Sequence, residues 1–232
     1  MRVAPASISI GEAARKAATD YYFNSLRFAP ANVFWGITIL AALFAAAIWP
    51  PATLLLVLSA IPIAGMHRMA AQLARGEPTT LSDFVDGMRR FALPAVGLAA
   101  AAALLAVVLV TNVSTGFASD NPLGWFLGAS ALYGLVAVAM YLVAAWPILV
   151  DPRHEDLPVR HRLRVAALVV IGRPGRLFLV TAAIAAVLAV SIVMLAGIVL
   201  FGVAYSSLLA TRWVLPAADQ LEARYEAARA SR

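Results

Sequence analysis

The chain has 232 residues, of which 62% are apolar and only 13% charged, and its mean hydropathy is +0.85. Soluble domains of ordinary composition carry about a quarter charged residues, so a soluble fold is excluded and an all-α polytopic membrane bundle is predicted. Net charge is +6 and pI about 10.3, but the basic residues lie in short stretches between long apolar runs. That placement points to anionic lipid head groups and not to nucleic acid. The absence of cysteine excludes disulfides, thiolate metal sites and cysteine nucleophiles.

Residues 1 to 30 read as an N-terminal interfacial segment. Between residues 9 and 28, Ile10, Ala13, Ala17, Tyr21, Leu26 and Phe28 supply apolar positions on a helix otherwise polar on one side. Glu12 and Asp20 within that stretch are unlike a cleavable signal peptide, so this segment is expected to persist. A single membrane domain follows over 31 to 215, with spans predicted at 31–49, 52–74, 93–111, 123–150, 177–194 and 196–214, and 216–232 as a cytoplasmic tail.

The first span stops at Pro50-Pro51, since a helix interior tolerates proline poorly. The second reaches its first charge at Arg68 and ends at Arg75-Gly76-Glu77-Pro78, with Pro62 as a bend. Thr80 to Phe91 is predicted as a separate amphipathic helix opened by capping-box spacing between Thr80 and Asp83. Leu81, Phe84, Val85, Met88 and Phe91 share one face, and Asp83, Asp86, Arg89 and Arg90 point away. The third span leads into a polar loop from Asn112 to Pro122 that contains Asp120 and no basic residue. A fourth, from about Leu123 to Val150, is long enough to tilt.

A basic segment from Asp151 to Arg176 comes next, with Gly172-Arg173-Pro174-Gly175 as the break before the following span. The last apolar run, Leu177 to Thr211, would extend roughly 52 Å as one helix, well beyond a membrane core of about 30 Å. A hairpin near Leu195 to Gly197 divides it into two short spans. Charge supports that division. The 18 lysines and arginines fall as 4, 4, 6 and 4 in the N-terminus, the 67–91 loop, the 151–176 loop and the C-terminus, and the opposite connections hold none. The positive-inside rule then puts all four basic regions and both termini in the cytoplasm of a bacterial inner membrane, which requires an even number of crossings. Six crossings satisfy this, as do four plus a re-entrant final hairpin. Trp35, Trp146 and Trp213 fall near inner boundaries and Trp49 and Trp125 near outer ones.

Chemistry-bearing sets are sparse. No ionisable residue lies centrally in any predicted span, which disfavours ion-coupled transport and intramembrane hydrolysis. His67, His154 and His161 lie at the edges of the basic loops without zinc-ligand spacing, and His154-Glu155-Asp156 reads as a solvated loop. Ser206, Ser207 and Thr211 are expected to bond back to helix carbonyls. Gly124 with Gly128, Ala182 with Ala186 and Ala185 with Ala189 offer close helix seams, either within the bundle or for a homo-oligomer. No catalytic residue, cofactor or metal is expected, and the chain reads as nonenzymatic. The candidate partner surface is Arg75, Glu77, Asp83, Asp86, Arg89 and Arg90.

Asn32-Val33-Phe34-Trp35, then His67-Arg68-Met69, Ala74-Arg75-Gly76-Glu77 and Ser82 to Phe91, resemble the YesL-like bacterial membrane proteins of uncharacterised function. The match is sharpest over residues 31 to 92. The resemblance implies an accessory or assembly component of a carbohydrate transport system, with an ATP-driven (ABC-type) sugar permease as the partner, and it transfers no catalytic residue. The alternative is a bundle that itself conducts a small solute through a cavity lined by Tyr133, Tyr141, Tyr205 and Ser206.

Overall fold

The computed structural model describes residues 8–194 and 197–230, and these are helical almost throughout. α1 (Ile10–Phe23) and α2 (Ser25–Ile48) are followed by a 3₁₀ segment (Pro50–Ser59) that continues into α3 (Ala60–Ala74). Then come α4 (Leu81–Ala118), α5 (Pro122–Leu149), a short 3₁₀ turn (Pro152–His154), α6 (Val159–Gly172) and α7 (Pro174–Val193). A π turn (Ile198–Gly202) leads into α8 (Val203–Ala230). Five helical segments are long and apolar enough to cross a membrane: Ser25–Ile48, Pro50–Ala74, Leu81–Ala118, Pro122–Leu149 and Pro174–Val193. The predicted sixth run is divided between the π turn and the first turns of α8, and its hairpin near Leu195 falls partly on residues 195 and 196, outside the described residues.

Several boundaries differ from the sequence reading. The amphipathic helix and the third span are one 38-residue helix, α4, that passes through Pro94. Proline removes one backbone bond there, and the helix is held on both sides of it by the buried Phe91 and Ala95. α4 also absorbs most of the expected polar loop, ending at Ala118. Pro62 lies in the first turn of α3, just past the point where the 3₁₀ segment Pro50–Ser59 passes into α-helix. The tail beyond 216 is not separate: α8 runs on to Ala230, with Leu215, Ala217 and Ala218 buried.

α1 is also shorter than its predicted range and is packed against the bundle. Ser9 caps it by accepting from Glu12 N at 3.2 Å, and Asn24 closes it, its side chain donating to Asp20 O at 3.0 Å. The small residues Ala13 and Ala17, one turn apart, are fully buried, and Tyr205 of α8 donates its hydroxyl to Ala14 O at 3.2 Å. Arg212 of α8 holds the Asp20 carboxylate at 2.5 and 2.8 Å. Leu26, by contrast, is exposed.

The π turn is secured from a distance. Asn32, buried in α2, donates to Ile198 O at 2.7 Å and accepts from Ala204 N at 2.7 Å, so one amide side chain serves backbone groups on both sides of the irregular turn. Tyr21 donates to Leu200 O at 2.5 Å. Gly202 packs against α7 so closely that an added Cβ would lie 3.0 Å from Ser191 Cβ.

Helix contacts use glycine where backbones meet. A Cβ on Gly65 would approach Phe84 O to 2.6 Å, and one on Gly87 would approach Arg68 Cβ to 2.8 Å, which locks α3 to α4. The expected seam of Gly124 and Gly128 is used: a Cβ on Gly116 of α4 would lie 2.6 Å from Gly128 Cα and 2.7 Å from Gly124 O. Ala182, Ala185, Ala186 and Ala189 are exposed and form no seam inside the chain. The large core side chains, including Met66, Met69, Ile148, Leu149, Leu208 and Leu215, gather at the end where α3, α5 and α8 approach the charged connections.

Candidate functional site

The charged end is assembled by how α3 stops. After Ala74 the chain turns through Gly76 at φ +80°, a conformation suited to glycine. Gly76 N donates to Leu73 O at 3.1 Å and Glu77 N to Gln72 O at 2.9 Å. This paired pattern satisfies the last helix carbonyls. The same turn directs Arg75 inward, leaving its side chain 7% exposed.

Arg75 grips two carboxylates with its planar fork. Nε donates to Asp151 Oδ1 at 3.0 Å and Nη2 to Asp151 Oδ2, while Nη1 donates to Asp219 Oδ2 at 2.6 Å and Nη2 to Asp219 Oδ1 at 3.1 Å. Asp151 is fully buried. Burial alone would raise its pKa, but His154 and Arg75 beside it bring it down to about 2. For Arg75, burial opposes the charge and the two aspartates outweigh it, so its pKa is raised further. Arg153 adds a bond to Asp219 Oδ2 at 3.2 Å.

His154 lies between two acids, Nδ1 at 3.1 Å from Asp151 Oδ2 and Nε2 at 3.2 Å from Glu222. Pairing with Asp151 first and Glu222 second, against the opposing effect of burial, lifts its pKa to about 9. The expected solvated loop at His154-Glu155-Asp156 is therefore corrected. His154 is buried, Glu155 is bound by two arginines, and only Asp156 is exposed.

A second set closes the end of α5. Arg68 donates to Val150 O at 3.1 Å and Arg162 to Leu149 O at 2.5 Å, placing two cations on carbonyls that a helix terminus leaves without partners. Arg162 also takes Glu155 O at 2.6 Å and Leu157 O at 3.0 Å. Glu155 in turn receives Arg68 at 3.3 Å and Arg90. The Phe91 ring lies within 5.9 Å of the Arg68 guanidinium and 5.6 Å of that of Arg162. Deeper in the bundle, His67 is buried, stacked on Trp146 with ring centroids 6.0 Å apart, and its Nδ1 is 3.5 Å from Thr211 Oγ1.

The six residues of the candidate partner surface separate accordingly. Arg75 is turned into the ion-pair core and is not on the surface. Asp83 completes the capping box, accepting from Thr80 N at 2.7 Å and from Gln72 at 3.1 Å. Arg90 reaches Glu155 with its side chain 51% exposed. Glu77, Asp86 and Arg89 are exposed, without an ion pair among the described residues. The amphipathic face is narrower than predicted: Phe84 and Phe91 are buried, whereas Leu81 and Val85 are exposed.

The tyrosines proposed to line a conducting cavity do not meet. Tyr141 donates to Leu163 O at 3.3 Å, Tyr205 is bound to α1, and Tyr133 is exposed. Ser207 and Thr211 bond back to Val203 O and Ser207 O as expected, at 2.9 and 2.7 Å, while the buried Ser206 hydroxyl has no partner among the described residues. A cavity of about 560 Å³ lies instead at the opposite tip of α4 and α5, lined in part by Asn112, Thr115, Ser119, Asn121 and Ser130. Among the described residues no group of three or more histidine or carboxylate side chains is arranged to hold a metal ion.

The sequence alone gives Asp151, Asp219, Glu222 and Arg162 no functional role, and places Glu155 only in a solvated loop. Two signals pointed to them. Asp151 is the first charge after the long uncharged run of α5, and Asp219 and Glu222 are three residues apart on one helix. No family model, curated protein or solved structure matches this chain.

Proposed function

We propose that the chain is a nonenzymatic, six-crossing protein of the bacterial inner membrane with both termini cytoplasmic, and that it serves as an accessory or assembly component of a transport complex. The observation that carries this reading is the use of the charged groups. The buried cations and carboxylates of the charged end are engaged with one another or with helix carbonyls, while Glu77, Asp86 and Arg89 stand exposed. Closed internal pairing makes a rigid platform, and an exposed mixed-charge edge suits a protein partner. The interior combines close glycine contacts with large apolar side chains such as Met66, Ile148 and Leu208, and the tyrosines expected along a solute path, Tyr133, Tyr141 and Tyr205, are exposed or bonded elsewhere.

The six-crossing topology rests on the four basic regions and their uncharged counterparts. α8 runs parallel to α3, with Thr211 beside His67 and Asp219 beside Arg75, as two segments crossing in the same direction would. The resemblance over residues 31 to 92 makes an ABC-type sugar permease the first partner to seek.

Affinity purification of the tagged protein from its host in mild detergent, followed by mass spectrometry, tests this. A membrane permease recovered at near-stoichiometric ratio with the parent chain, and lost with E77Q/D86N/R89Q, is the expected result. Recovery of the chain alone, together with solute flux in liposomes that contain only this protein, would overturn the accessory reading in favour of conduction. Topology is read separately: in this cysteine-free chain, a cysteine at Asp120 should react with an impermeant maleimide from outside, and one at Glu77 should not.

A further inference from the structure

The corner between α6 and α7 collects positive charge that no ion pair among the described residues neutralises. Arg173 joins the two helices, and its Nη2 donates to Gln220 Oε1 of α8, a neutral partner. The corner is seated on α8, since a Cβ on Gly172 would meet Leu221 at 3.3 Å. Arg224 is one helical turn beyond Gln220, and Arg176 lies in the first turn of α7. Partial burial pushes the Arg173 pKa down, and the nearby charges of Arg224 and Arg176 add to the effect.

No carboxylate is paired with Arg173, Arg176 or Arg224 among the described residues. The nearest described acids on α8 are committed elsewhere, Asp219 to Arg75 and Arg153 and Glu222 to His154. The contrast with Arg68, Arg75, Arg90 and Arg212, each bound to a carboxylate, is direct.

The surface beside this trio is apolar. Ile171 is 75% exposed, and Phe178 and Leu179, one turn into the membrane-length helix α7, are 48% and 55% exposed. Guanidinium forks match phosphate oxygens, and exposed apolar side chains within a turn of them along the chain match acyl chains, as basic pockets beside membrane helices do. A soluble phosphorylated partner would use the forks and leave the flank uncovered.

We propose that the corner formed by Arg173, Arg176 and Arg224 binds the head group of an anionic phospholipid whose chains lie along α7. The assignment rests on the membrane orientation proposed above, but not on the accessory role. A missing permease partner would leave it standing, and loss of lipid selectivity would leave a recovered permease unexplained by lipid.

Native mass spectrometry of the delipidated full chain in neutral detergent, titrated with phosphatidylglycerol or phosphatidylcholine, tests it. The parent chain should retain phosphatidylglycerol on the order of tenfold more tightly. R173Q/R176Q/R224Q should lose that preference, while R173K/R176K/R224K should keep most of it and R160Q/R164Q, which removes two arginines elsewhere on α6, should keep all of it. Should the triple glutamine variant fail to fold, the single R176Q change at an exposed site should still weaken the preference measurably. No preference in the parent chain, an undiminished preference in the glutamine variants, or equal loss in R160Q/R164Q would overturn the site. Complete displacement of phosphatidylglycerol by millimolar inorganic phosphate would overturn the lipid as its occupant.

Discussion

The two ends of the molecule hold together by different physics. At the charged end, Arg75, Asp151, Asp219, His154, Glu222, Arg68, Arg162 and Glu155 join α3, α5, α6 and α8 by directional bonds in a largely buried layer. At the other end, α4 and α5 meet through Gly116 and Gly128, and Leu104, Val107, Phe117, Leu123 and Phe126 face outward. Only 6% of the most apolar stretch of α4 is buried within the chain. Tryptophans mark the same division, with Trp213 buried at one end and Trp49 and Trp125 exposed at the other. One end therefore specifies its geometry by partner identity, and the other by close backbone approach with hydrocarbon supplied from outside.

Asp151→Ala should give the largest loss, because it leaves Arg75 and His154 buried with half of their counter-charge removed. A destabilisation of about 3–5 kcal/mol is expected, read as a shift in reversible unfolding in mixed micelles. A shift under 1 kcal/mol would mean that the layer is decoration on an apolar core. Asn32→Leu should follow at about 2–4 kcal/mol, since Ala204 N and Ile198 O would both lose the same side chain inside the bundle. Gly116→Leu probes the other end. Its side chain would enter the Gly128 backbone, and about 1–3 kcal/mol is expected, with the pH response of the charged end unchanged.

That pH response is the most specific effect. His154 has its pKa raised to about 9, so its pairing with Asp151 and Glu222 stabilises fully below the unfolded value of about 6.5 and fades as pH rises toward 9. The unfolding midpoint should therefore fall between pH 6.5 and 9 in the parent chain and stay level across that window in His154→Gln. Asp151, with its pKa lowered to about 2, works in the other direction, and its contribution is lost only as pH falls from about 4 toward 2. A sloping response in His154→Gln would assign the titration to another group.

Local devices were legible in the sequence. Pro50-Pro51 ends α2, Thr80 and Asp83 form the capping box, Gly172 to Pro174 separates α6 from α7, and Gly124 with Gly128 marks a helix contact. Each of these depends on residues within a few positions of one another. The ion-pair layer was not legible, because Arg75 lies 76 residues from Asp151 and 144 from Asp219. Nothing local distinguishes those partners from solvated loop charges, so the sequence alone places Arg75 on the surface, whereas its side chain is buried. The continuity of α4 was misread for a related reason. The amphipathic face of 80–91 and the uniformly apolar run after it read as two elements, whereas Phe91 and Ala95, both buried, keep one axis through Pro94.

That unbroken axis has a mechanical consequence. At 1.5 Å per residue, the 38 residues of α4 make a rod of about 57 Å, longer than the roughly 40–45 Å of a whole bilayer with its head groups. Its base is clamped where Gly65 and Gly87 bring α3 and α4 into backbone contact. A rod so held is a lever: a change in tilt of about 10° at the clamp would swing the far tip by roughly 10 Å. The N-terminal part of α5, packed on α4 through Gly116 and Gly128, would have to move with that tip.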